Sequence, residues 1–557
     1  MELKIRGNVR FNNQYYSCEE LNELVNVFEI NLDKYLFEKN EIVGLLIGRG
    51  VEMIVLMFAL IKKQIPFLPI DKKTPNKRIE NIISQAKVQK IICDEVPAFA
   101  SDAQVIYVDS LNEKVKDRAV GSRIGSLFAY VLFTSGSSGL PKGVIIGRPA
   151  LQNFVSAIIS KLELQKYKSI LCATNYTFDI FFLESIAGLC ASLDVILTEN
   201  VVADNPKNVI DTIVKNEVDC VQFTPSSIAF LRDVNNDFSF LKNVKNILLG
   251  GESLPPKLLC DLKALEGVKI YNLYGPTEST VWVSLKELTN TNEITIGTSL
   301  DNVEVFLLAE DGTKISDDRQ GEICIAGAAL GEGYVGGEKG GFTECAIGKR
   351  KIKVYKTGDM GRYTKSGEIV CLGRKDRQVK LHGFRIELDE IDNIILKRED
   401  ILYSCTILHE QKLVSFCKVK NKISQQELLN YCKENLLYYM IPSKIVFLDE
   451  NSLMINGKRD VEALRGYLGR EEVCFDDEEN DTYSIIANRI VSITNINSFS
   501  IDTSIEKLNL SSIEYIKLIV DLEKTFEVAF EDEYLSGKAF SKISDIVDYI
   551  NNCLVDS

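Results

Sequence analysis

The first 370 residues of the chain alternate short apolar runs with stretches of helical periodicity. Strands and helices in this regular order are typical of α/β folds, in which parallel sheets carry helices on their faces. The alternation therefore predicts an α/β fold with largely parallel sheets. The runs that we expect to be strands are Ile42–Leu46, Val105–Val108, Ala129–Thr134, Ser169–Ala173, Asp219–Phe223, Asn246–Leu249 and Lys269–Leu273.

The rest of the chain divides into segments of different character. Glycines and short strand-like runs become denser over Glu304–Tyr355, which predicts a small β-subdomain. A second α+β unit follows, and then an acidic stretch with six acids and no base indicates a linker. We therefore expect a core over residues 1–375, a second unit over 376–470, the linker over 471–480 and a tail domain over 481–557.

Composition excludes several classes of function. Most of the net charge of −14 lies toward the end of the chain, where residues 471–480 hold six acids and no base and residues 481–557 hold thirteen acids against six bases, whereas a nucleic-acid-binding surface is basic. The most apolar segment, Met53–Ile61, is shorter than the roughly 20 residues of a membrane span and predicts a buried helix. The N-terminus lacks a signal-peptide core, and none of the fourteen cysteines stands in a CxxC or zinc-type spacing. We expect a cytoplasmic protein with reduced thiols that binds neither nucleic acid nor a membrane.

A Ser/Gly-rich string begins at Thr134, directly after the strand-like residues Ala129–Phe133. Small residues let backbone N–H groups approach a polyphosphate closely, and hydroxyl groups and a lysine add further donors. The string therefore indicates a phosphate-binding loop, although the GK[ST] ending of the common nucleotide P-loop is missing. The alternative is a flexible Ser/Gly loop that binds nothing. Its members are Thr134, Ser135, Gly136, Ser137, Ser138, Gly139, Leu140, Pro141, Lys142 and Gly143.

Two further strings carry groups that suit a nucleotide. The string NLYGPTE, from Asn272 to Glu278, stands at the end of a predicted strand, where ligands bind in open α/β sheets. Tyr274 offers an aromatic face for a base, Asn272 an amide for its edge, and Glu278 a carboxylate for Mg²⁺. The string YKTGD ends in Asp359, whose carboxylate could accept hydrogen bonds from both ribose hydroxyls. Taken alone, NLYGPTE could also be a turn with a helix cap.

Two more motifs complete an ordered set of five. They are Gly373–Arg385 (GRKDRQVKLHGFR) and Asn456–Lys458 (NGK). Together the five motifs resemble the adenylate-forming superfamily, which includes peptide-synthetase adenylation domains, acyl-CoA synthetases and firefly luciferase. The resemblance runs from about Tyr15 to Leu464. It implies a two-sheet core with a hinged C-terminal subdomain, and a reaction in which a carboxylate attacks ATP, pyrophosphate leaves and an acyl-adenylate forms.

The resemblance also implies roles for individual residues. Thr277 and Glu278 would lie at the phosphates and Mg²⁺, Lys458 would be the mobile catalytic lysine, and Asp376 would be the hinge of the small subdomain. A preorganised cation is chemically sensible here, because the displacement concentrates negative charge at the α-phosphorus. From the sequence alone, each of these charged residues could equally form a surface ion pair. The nucleotide-binding residues would be Thr134, Ser135, Gly136, Ser137, Ser138, Gly139, Lys142, Gly251, Asn272, Tyr274, Gly275, Asp359 and Arg374.

A substrate pocket can be placed by the same resemblance. A Phe-Asp pair begins a helix in the pocket of adenylation domains, and here Asp179 would pair with the ammonium group of an α-amino acid. The aligned positions look like a glycine-type pocket, and Trp282 and Gln222 are bulky enough to fill the space of a side chain. Alanine is the main competitor, and each apolar residue could instead be ordinary core. The pocket positions are Asp179, Ile180, Leu183, Gln222, Leu248, Gly250, Leu273, Val281, Trp282 and Lys458.

The acidic tail carries a possible attachment site. The segment Leu508–Ile513 (LNLSSI) resembles the carrier-protein motif whose serine bears 4′-phosphopantetheine, and Ser512 aligns with that serine. Residues Tyr515, Ile519, Leu522 and Phe526 recur at helical spacing after it. The resemblance implies a four-helix carrier domain, although Asn509-Leu510 stands where peptidyl carriers usually have a Gly-Gly pair. The alternative is that Ser511 and Ser512 only cap the helix.

These features lead to one main hypothesis and two alternatives. We expect an adenylation–carrier didomain that uses ATP, Mg²⁺ and 4′-phosphopantetheine to activate glycine in a nonribosomal peptide pathway. Its partners would be a phosphopantetheinyl transferase and a downstream condensation or other carrier-reading enzyme. One alternative is a coenzyme-A or acyl-carrier ligase for another small acid, such as alanine. The other is an inactive scaffold that only presents the carrier.

Overall fold

The chain folds into two compact units. The computed structural model describes residues 3–113, 124–136, 140–347, 350–381, 383–421, 423–448, 464, 482–494, 499–508, 510, 512–526, 528–531, 534 and 539–556. The first unit comprises residues 1–136, 140–202 and 207–385, and the second comprises residues 137–139, 203–206 and 386–557. Strands are numbered β1 to β26 in chain order.

A nine-stranded sheet forms one layer of the first unit, and its central strands are parallel. Parallel strands that are covered on both faces are expected to be continuously apolar, and four of the predicted runs are indeed strands here. Their order across the described sheet is β15-β14-β13-β12-β11-β9-β10-β1-β2. The bounds are β1 Asn8–Phe11, β2 Gln14–Tyr16, β9 Ser169–Cys172, β10 Asp194–Leu197, β11 Cys220–Phe223, β12 Asn246–Gly250, β13 Lys269–Tyr274, β14 Ser284–Glu287 and β15 Thr298–Ser299.

A seven-stranded sheet forms the second layer and contains the other three predicted strands. Its described order is β18-β8-β7-β4-β3-β5-β6, with β7 and β8 antiparallel. The prediction of a two-sheet α/β core is therefore confirmed. The bounds are β3 Val43–Leu46, β4 Phe67–Pro69, β5 Lys90–Cys93, β6 Gln104–Tyr107, β7 Phe128–Thr134, β8 Lys142–Gly147 and β18 Gly333–Tyr334.

The helices of the first unit cover these sheets. The helix Cys18–Leu32 begins in a capping box, in which Ser17 and Glu20 each accept from the other's backbone N–H. The predicted buried helix around Met53–Ile61 is confirmed as Val51–Lys63. The further α-helices are Asn76–Ala86, Val108–Leu111, Arg148–Lys161, Ile180–Phe182, Gly188–Cys190, Pro206–Lys215, Pro225–Asn235 and Pro256–Lys263. The 3-10 turns are Leu164–Lys166, Ser239–Leu241 and Thr277–Ser279, and Leu183–Ala187 is a π-helical turn.

The predicted small β-subdomain is an antiparallel sheet of five described strands. Its strand β20 pairs with β17, β19 and β21, and a two-stranded ladder follows it. The apolar face of the sheet packs Leu307, Ile323 and Ile325 into one cluster. The bounds are β16 Val303–Leu308, β17 Gln320–Gly327, β19 Phe342–Ile347, β20 Arg350–Tyr363, β21 Ile369–Arg374, β22 Gln378–Leu381 and β23 Phe384–Glu387.

The second unit begins as a small α+β fold and continues into helices. Buried Asp392 is satisfied inside it by donors from Ser404 and Thr406. In the helix Ser512–Phe526 the predicted apolar positions Tyr515, Ile519 and Leu522 are buried. The elements are Leu388–Leu396, β24 Ile401–His409, β25 Lys412–Val419, Gln425–Asn435, the 3-10 turn Tyr438–Met440, β26 Lys444–Phe447, Thr482–Thr494, the 3-10 turn Ile505–Leu508, Ser512–Phe526 and Ile543–Asp556.

Most of the cysteines that the structure describes are buried. The cysteines within the described ranges are all free thiols, and Cys260 is the exposed one among them. Burial raises the pKa of Cys190 to about 11 and that of Cys432 to about 12, so these thiols stay protonated at neutral pH. Within the same ranges, no helix has the length and apolar character to cross a bilayer.

Candidate active site

The carboxyl ends of three neighbouring parallel strands bring four predicted pocket residues together. The register pairs Gln222 on β11 with Leu248 on β12, and Gly250 on β12 with Leu273 on β13. All four lie in buried strand positions. Ligands in open α/β sheets bind at this edge, so the topology places these residues where a small substrate could lie.

Trp282, a predicted pocket residue, packs against Gly250. Its indole is 2% exposed. A Cβ atom added to Gly250 would lie 2.6 Å from Cη2 of Trp282 and 2.8 Å from the carbonyl oxygen of Leu273. Separations this short are sterically forbidden, so the indole can occupy its position only because residue 250 is glycine.

The turn that leads into Trp282 is strained. Thr280 has a φ of 59° and Val281 a φ of 66°, and for a β-branched residue a positive φ is a genuine outlier. Each such residue lowers the stability of the fold by about 1–3 kcal/mol, and it keeps this conformation only where surrounding contacts fix the backbone. Three hydrogen bonds do so here: Thr280 Oγ1 donates to the Ala329 carbonyl at 2.7 Å, the Val283 amide to Tyr274 at 2.8 Å, and the Leu300 amide to Val283 at 2.7 Å.

Asp179 lies at the start of the helix Ile180–Phe182 and contacts a second predicted site residue. Burial raises the pKa of its carboxyl group to about 6, although hydrogen bonds from the Thr277 hydroxyl and the Ile180 amide act in the opposite direction. The sequence predicts that Thr277 contacts phosphate and that Asp179 contacts the amino acid. The Thr277 hydroxyl lies close enough to the Asp179 carboxyl group to act on its pKa, so these two predicted binding regions adjoin each other.

Two further predicted pocket positions are the first residue of this helix, Ile180, and the residue directly after it, Leu183. A Cβ atom on Gly251 would lie 3.9 Å from Cδ1 of Ile180, so Ile180 approaches the predicted nucleotide-binding glycine. Leu183 is fully buried at the start of the π-helical turn. Such turns are rare and occur frequently at functional sites.

Glu278, the predicted metal ligand, is buried, and both of its carboxylate oxygens accept hydrogen bonds. Its side chain is 1% exposed. Arg385 Nη1 donates to Oε1 at 3.1 Å and to Oε2 at 2.9 Å, and the Tyr334 hydroxyl donates to Oε1 at 2.9 Å. Burial acts to raise the pKa of the Glu278 carboxyl, but the Arg385 guanidinium and the hydrogen bonds hold it below its usual value. Sequence reasoning assigned no role to Arg385, although this residue ends the fourth motif.

The predicted ribose and adenine residues form one connected network. The Tyr274 hydroxyl donates to Asp359 Oδ2 at 2.7 Å, and Arg374 Nη1 donates to Asp359 Oδ1 at 2.9 Å. Arg374 also forms two bonds of 2.7 Å to Asp376, the predicted hinge residue. Asn272 donates to the Thr295 carbonyl at 2.8 Å. The structure therefore brings together residues from three separate motifs.

The described part of the Ser/Gly-rich loop contacts Arg385, the residue that pairs with Glu278. Thr134 and Lys142 are paired across β7 and β8, and the Ser135 hydroxyl donates to the Arg385 carbonyl at 3.0 Å. Gly275 packs tightly as well, since a Cβ atom there would lie 2.4 Å from the Val281 carbonyl oxygen. Ser137, Ser138, Gly139 and Lys458 lie outside the described residues, as does the side chain of Ser512, whose backbone begins a helix.

Comparison with known proteins gives concordant matches. Residues 6–335, more than half of the chain, match the family described as AMP-binding enzyme. Zwittermicin A synthase ZmaJ from Bacillus cereus is 31% identical over 483 residues, which cover 82% of this chain and 91% of that protein. A dimodular nonribosomal peptide synthase from Bacillus subtilis is 30% identical over 476 residues, which cover 80% of this chain but 19% of that much longer protein.

A solved structure shares the fold. Holo-PA1221, described as a nonribosomal peptide synthetase protein containing adenylation and PCP domains, aligns with a TM-score of 0.83 at 22% identity. The alignment covers 98% of this chain and 94% of that one.

Proposed function

Because the chain belongs to the AMP-binding enzyme family as a peptide-synthetase-type adenylation enzyme, we propose that its substrate is glycine and that it loads the activated glycine onto its own tail domain. Enzymes of this family use ATP to convert a carboxylic acid into an acyl-adenylate. The proposal adds which acid is activated, which group accepts the activated acid, and which residues bind the substrate and the nucleotide.

The observation that carries the choice of glycine is the position of Trp282 over Gly250. A Cβ atom on Gly250 would clash with the indole, and in the proposed pocket the indole fills the volume that a substrate side chain would need. Admitting a larger side chain would require displacement of a buried indole, and overpacking of a well-packed core typically costs about 1–3 kcal/mol. Glycine needs no such displacement.

Asp179 and Thr277 would orient the glycine. The Asp179 carboxylate offers a charge-assisted acceptor for the ammonium group, while the nearby Thr277 hydroxyl favours the ionised form of that carboxylate. Because this pairing uses the ammonium group, it would favour an α-amino acid over a simple carboxylic acid and would point the substrate carboxylate toward the phosphates.

The nucleotide would be held by the network of Tyr274, Asp359 and Arg374. Glu278 suits Mg²⁺, because a buried carboxylate together with phosphate oxygens is a donor set that this ion prefers. When bound, Mg²⁺ would neutralise charge on the departing pyrophosphate. Lys458 would supply a second positive charge at the α-phosphate, and Ser512 would carry the 4′-phosphopantetheine arm that accepts the glycyl group.

Amino-acid-dependent exchange of pyrophosphate into ATP tests the proposal across the twenty amino acids. We expect glycine to give the highest exchange, because it alone needs no space beyond the Trp282 ring. Alanine should follow, since it adds a single methyl group. Stronger exchange with a large hydrophobic amino acid than with glycine would refute the choice of substrate.

Trp282→Ala should broaden the substrate range. Removal of the indole leaves a cavity beside Gly250, so exchange with larger amino acids should rise from background while glycine turnover falls about 10-fold or more, as poor packing around a substrate typically gives. The measurement is the exchange rate for glycine, alanine, valine and leucine in each variant.

Phe240→Ala is a matched control for loss of a buried aromatic ring. Phe240 is 3% exposed and belongs to a different hydrophobic cluster from Trp282. Its replacement should lower thermal stability without changing the order of amino-acid preference. An unchanged order in Trp282→Ala as well would mean that the indole does not limit the substrate.

A further inference from the structure

The guanidinium group of Arg385 lies where a metal cation would bind the Glu278 carboxylate. Its guanidinium contacts both carboxylate oxygens, at 3.1 and 2.9 Å, and the carboxylate is otherwise closed off by the Tyr334 hydroxyl. The Glu278 side chain is 1% exposed, against 23% for that of Arg385. The arginine therefore approaches the buried acid from the accessible side.

The segment Gly383–Arg385 is held in this place by three more contacts. The Ser135 hydroxyl donates to the Arg385 carbonyl at 3.0 Å, the Gly383 amide donates to Glu252 Oε1 at 2.5 Å, and the ring of Phe384 lies 5.5 Å from that of Phe178. Ser135 belongs to the predicted phosphate loop, and Phe178 precedes Asp179. The segment therefore contacts the proposed phosphate, metal and amino-acid regions at once.

Gly383 makes this arrangement possible. Its φ is +86°, and a Cβ atom there would lie 2.9 Å from Cγ2 of Thr224 and 3.0 Å from its hydroxyl oxygen. Both the backbone conformation and the close approach require glycine. The contact between Arg385 and Glu278 is thus the result of a specific backbone path rather than of a flexible side chain that reaches across a surface.

Arg385 and a metal ion would need the same side of the Glu278 carboxylate. A single guanidinium nitrogen, Nη1, lies within hydrogen-bond distance of both oxygens, on the side from which a metal ion bound between the two oxygens would approach. The two positive charges would also repel each other strongly in a poorly solvated site.

We propose that Arg385 and the divalent cation compete for Glu278, so that the segment Gly383–Arg385 must leave the carboxylate before metal-bound ATP can bind. This inference rests on the proposed role of Glu278 as metal ligand. It also gives Arg385 a function. The residue donates hydrogen bonds to the buried Glu278 carboxylate when the metal is absent, and it sets the metal concentration at which the site can bind the nucleotide.

Binding of Mn²⁺ in the presence of a non-hydrolysable ATP analogue tests the competition without relying on activity. We expect Arg385→Gln to lower the apparent Kd for Mn²⁺ about 5-fold or more, a coupling of ordinary size between two mutually exclusive ligands. The titration can be followed by electron paramagnetic resonance of the free ion. Glutamine keeps an N–H donor for the carboxylate but removes the charge.

Two further variants distinguish failure of the proposed competition from failure of the proposed metal site. Arg319→Gln removes an arginine that pairs with Asp317 on the surface and should leave the Mn²⁺ affinity unchanged. Glu278→Gln should abolish the nucleotide-dependent Mn²⁺ site. If Arg385→Gln binds Mn²⁺ no more tightly than the parent while Glu278→Gln has lost the site, the competition is refuted and the metal site stands. If Glu278→Gln binds Mn²⁺ like the parent, the metal site itself is refuted.

Discussion

Replacing Asp179 with alanine is expected to abolish amino-acid activation while leaving ATP binding nearly unchanged. The carboxylate is the proposed partner of the substrate ammonium group, and removal of one partner from a buried ion pair costs about 3–5 kcal/mol. That cost corresponds to a loss of more than about a hundredfold in glycine affinity. Glycine-dependent exchange measures the first effect, and calorimetric titration with an ATP analogue measures the second.

Asp179→Asn is the more specific variant, because asparagine keeps the size and shape of the side chain and removes only its charge. It should fold like the parent and lose glycine activation to a similar extent, since the charge is gone while the shape remains. Wild-type glycine affinity in either variant would show that the ammonium group is bound elsewhere.

The same carboxylate predicts the pH dependence of the parent enzyme. Burial raises the pKa of Asp179 to about 6, so the folded protein holds this proton more tightly than the unfolded chain does. The stability that this group contributes is therefore lost as the pH rises from the ordinary carboxyl pKa of 3.8 to about 6, whereas glycine binding needs the ionised form. We expect kcat/KM for glycine to fall about tenfold per pH unit below this value, and the dependence should vanish in the residual activity of Asp179→Asn.

Ser512→Ala and Lys458→Ala are expected to divide the reaction into two halves. Ser512→Ala should gain no mass on treatment with a phosphopantetheinyl transferase, yet it should still form glycyl-adenylate, since the arm plays no part in adenylation. It should retain no labelled glycine as a thioester. Lys458→Ala should accept the arm but lose adenylate formation by about 10²–10³-fold or more, the usual effect of removing one preorganised electrostatic group.

The two variants serve as each other's controls. Lys458→Ala, once it carries the arm, should still become loaded from added glycyl-adenylate, because transfer to the thiol follows the step that needs the lysine. Labelled glycine that stays bound to Ser512→Ala, or an arm that maps to Ser511, would show that the attachment site is wrong.

The layered fold could be predicted because each strand and helix is encoded by a short, continuous stretch of the sequence. Runs such as Asn246–Leu249 and Lys269–Leu273 are apolar on both faces, and a buried parallel strand needs this pattern. Their carboxyl ends adjoin in the sheet, so Gly250 and Leu273 become neighbours as a direct result of the register. The helix Ser512–Phe526 was predictable for a similar reason, since its apolar residues recur once per turn.

Other parts of the site have no local signature. Arg385 and Glu278 are 107 residues apart in the chain, and each charge taken alone resembles an ordinary surface residue. The left-handed conformations of Thr280 and Val281 could not be anticipated, because glycine or asparagine usually marks such positions. Here tertiary hydrogen bonds impose the conformation on residues that disfavour it.

The hydrogen bonds described around the turn at Thr280 and Val281 come from the backbone and from the Thr280 hydroxyl, not from the indole of Trp282. These hydrogen bonds would therefore remain after a substitution at residue 282. Under the proposed role of Trp282, a change of amino-acid preference could then arise in a single mutational step, without the compensating substitutions that a backbone rearrangement would demand. Descendants of one ancestral enzyme could in this way diverge in substrate by exchange at this position while their nucleotide-binding residues stay the same.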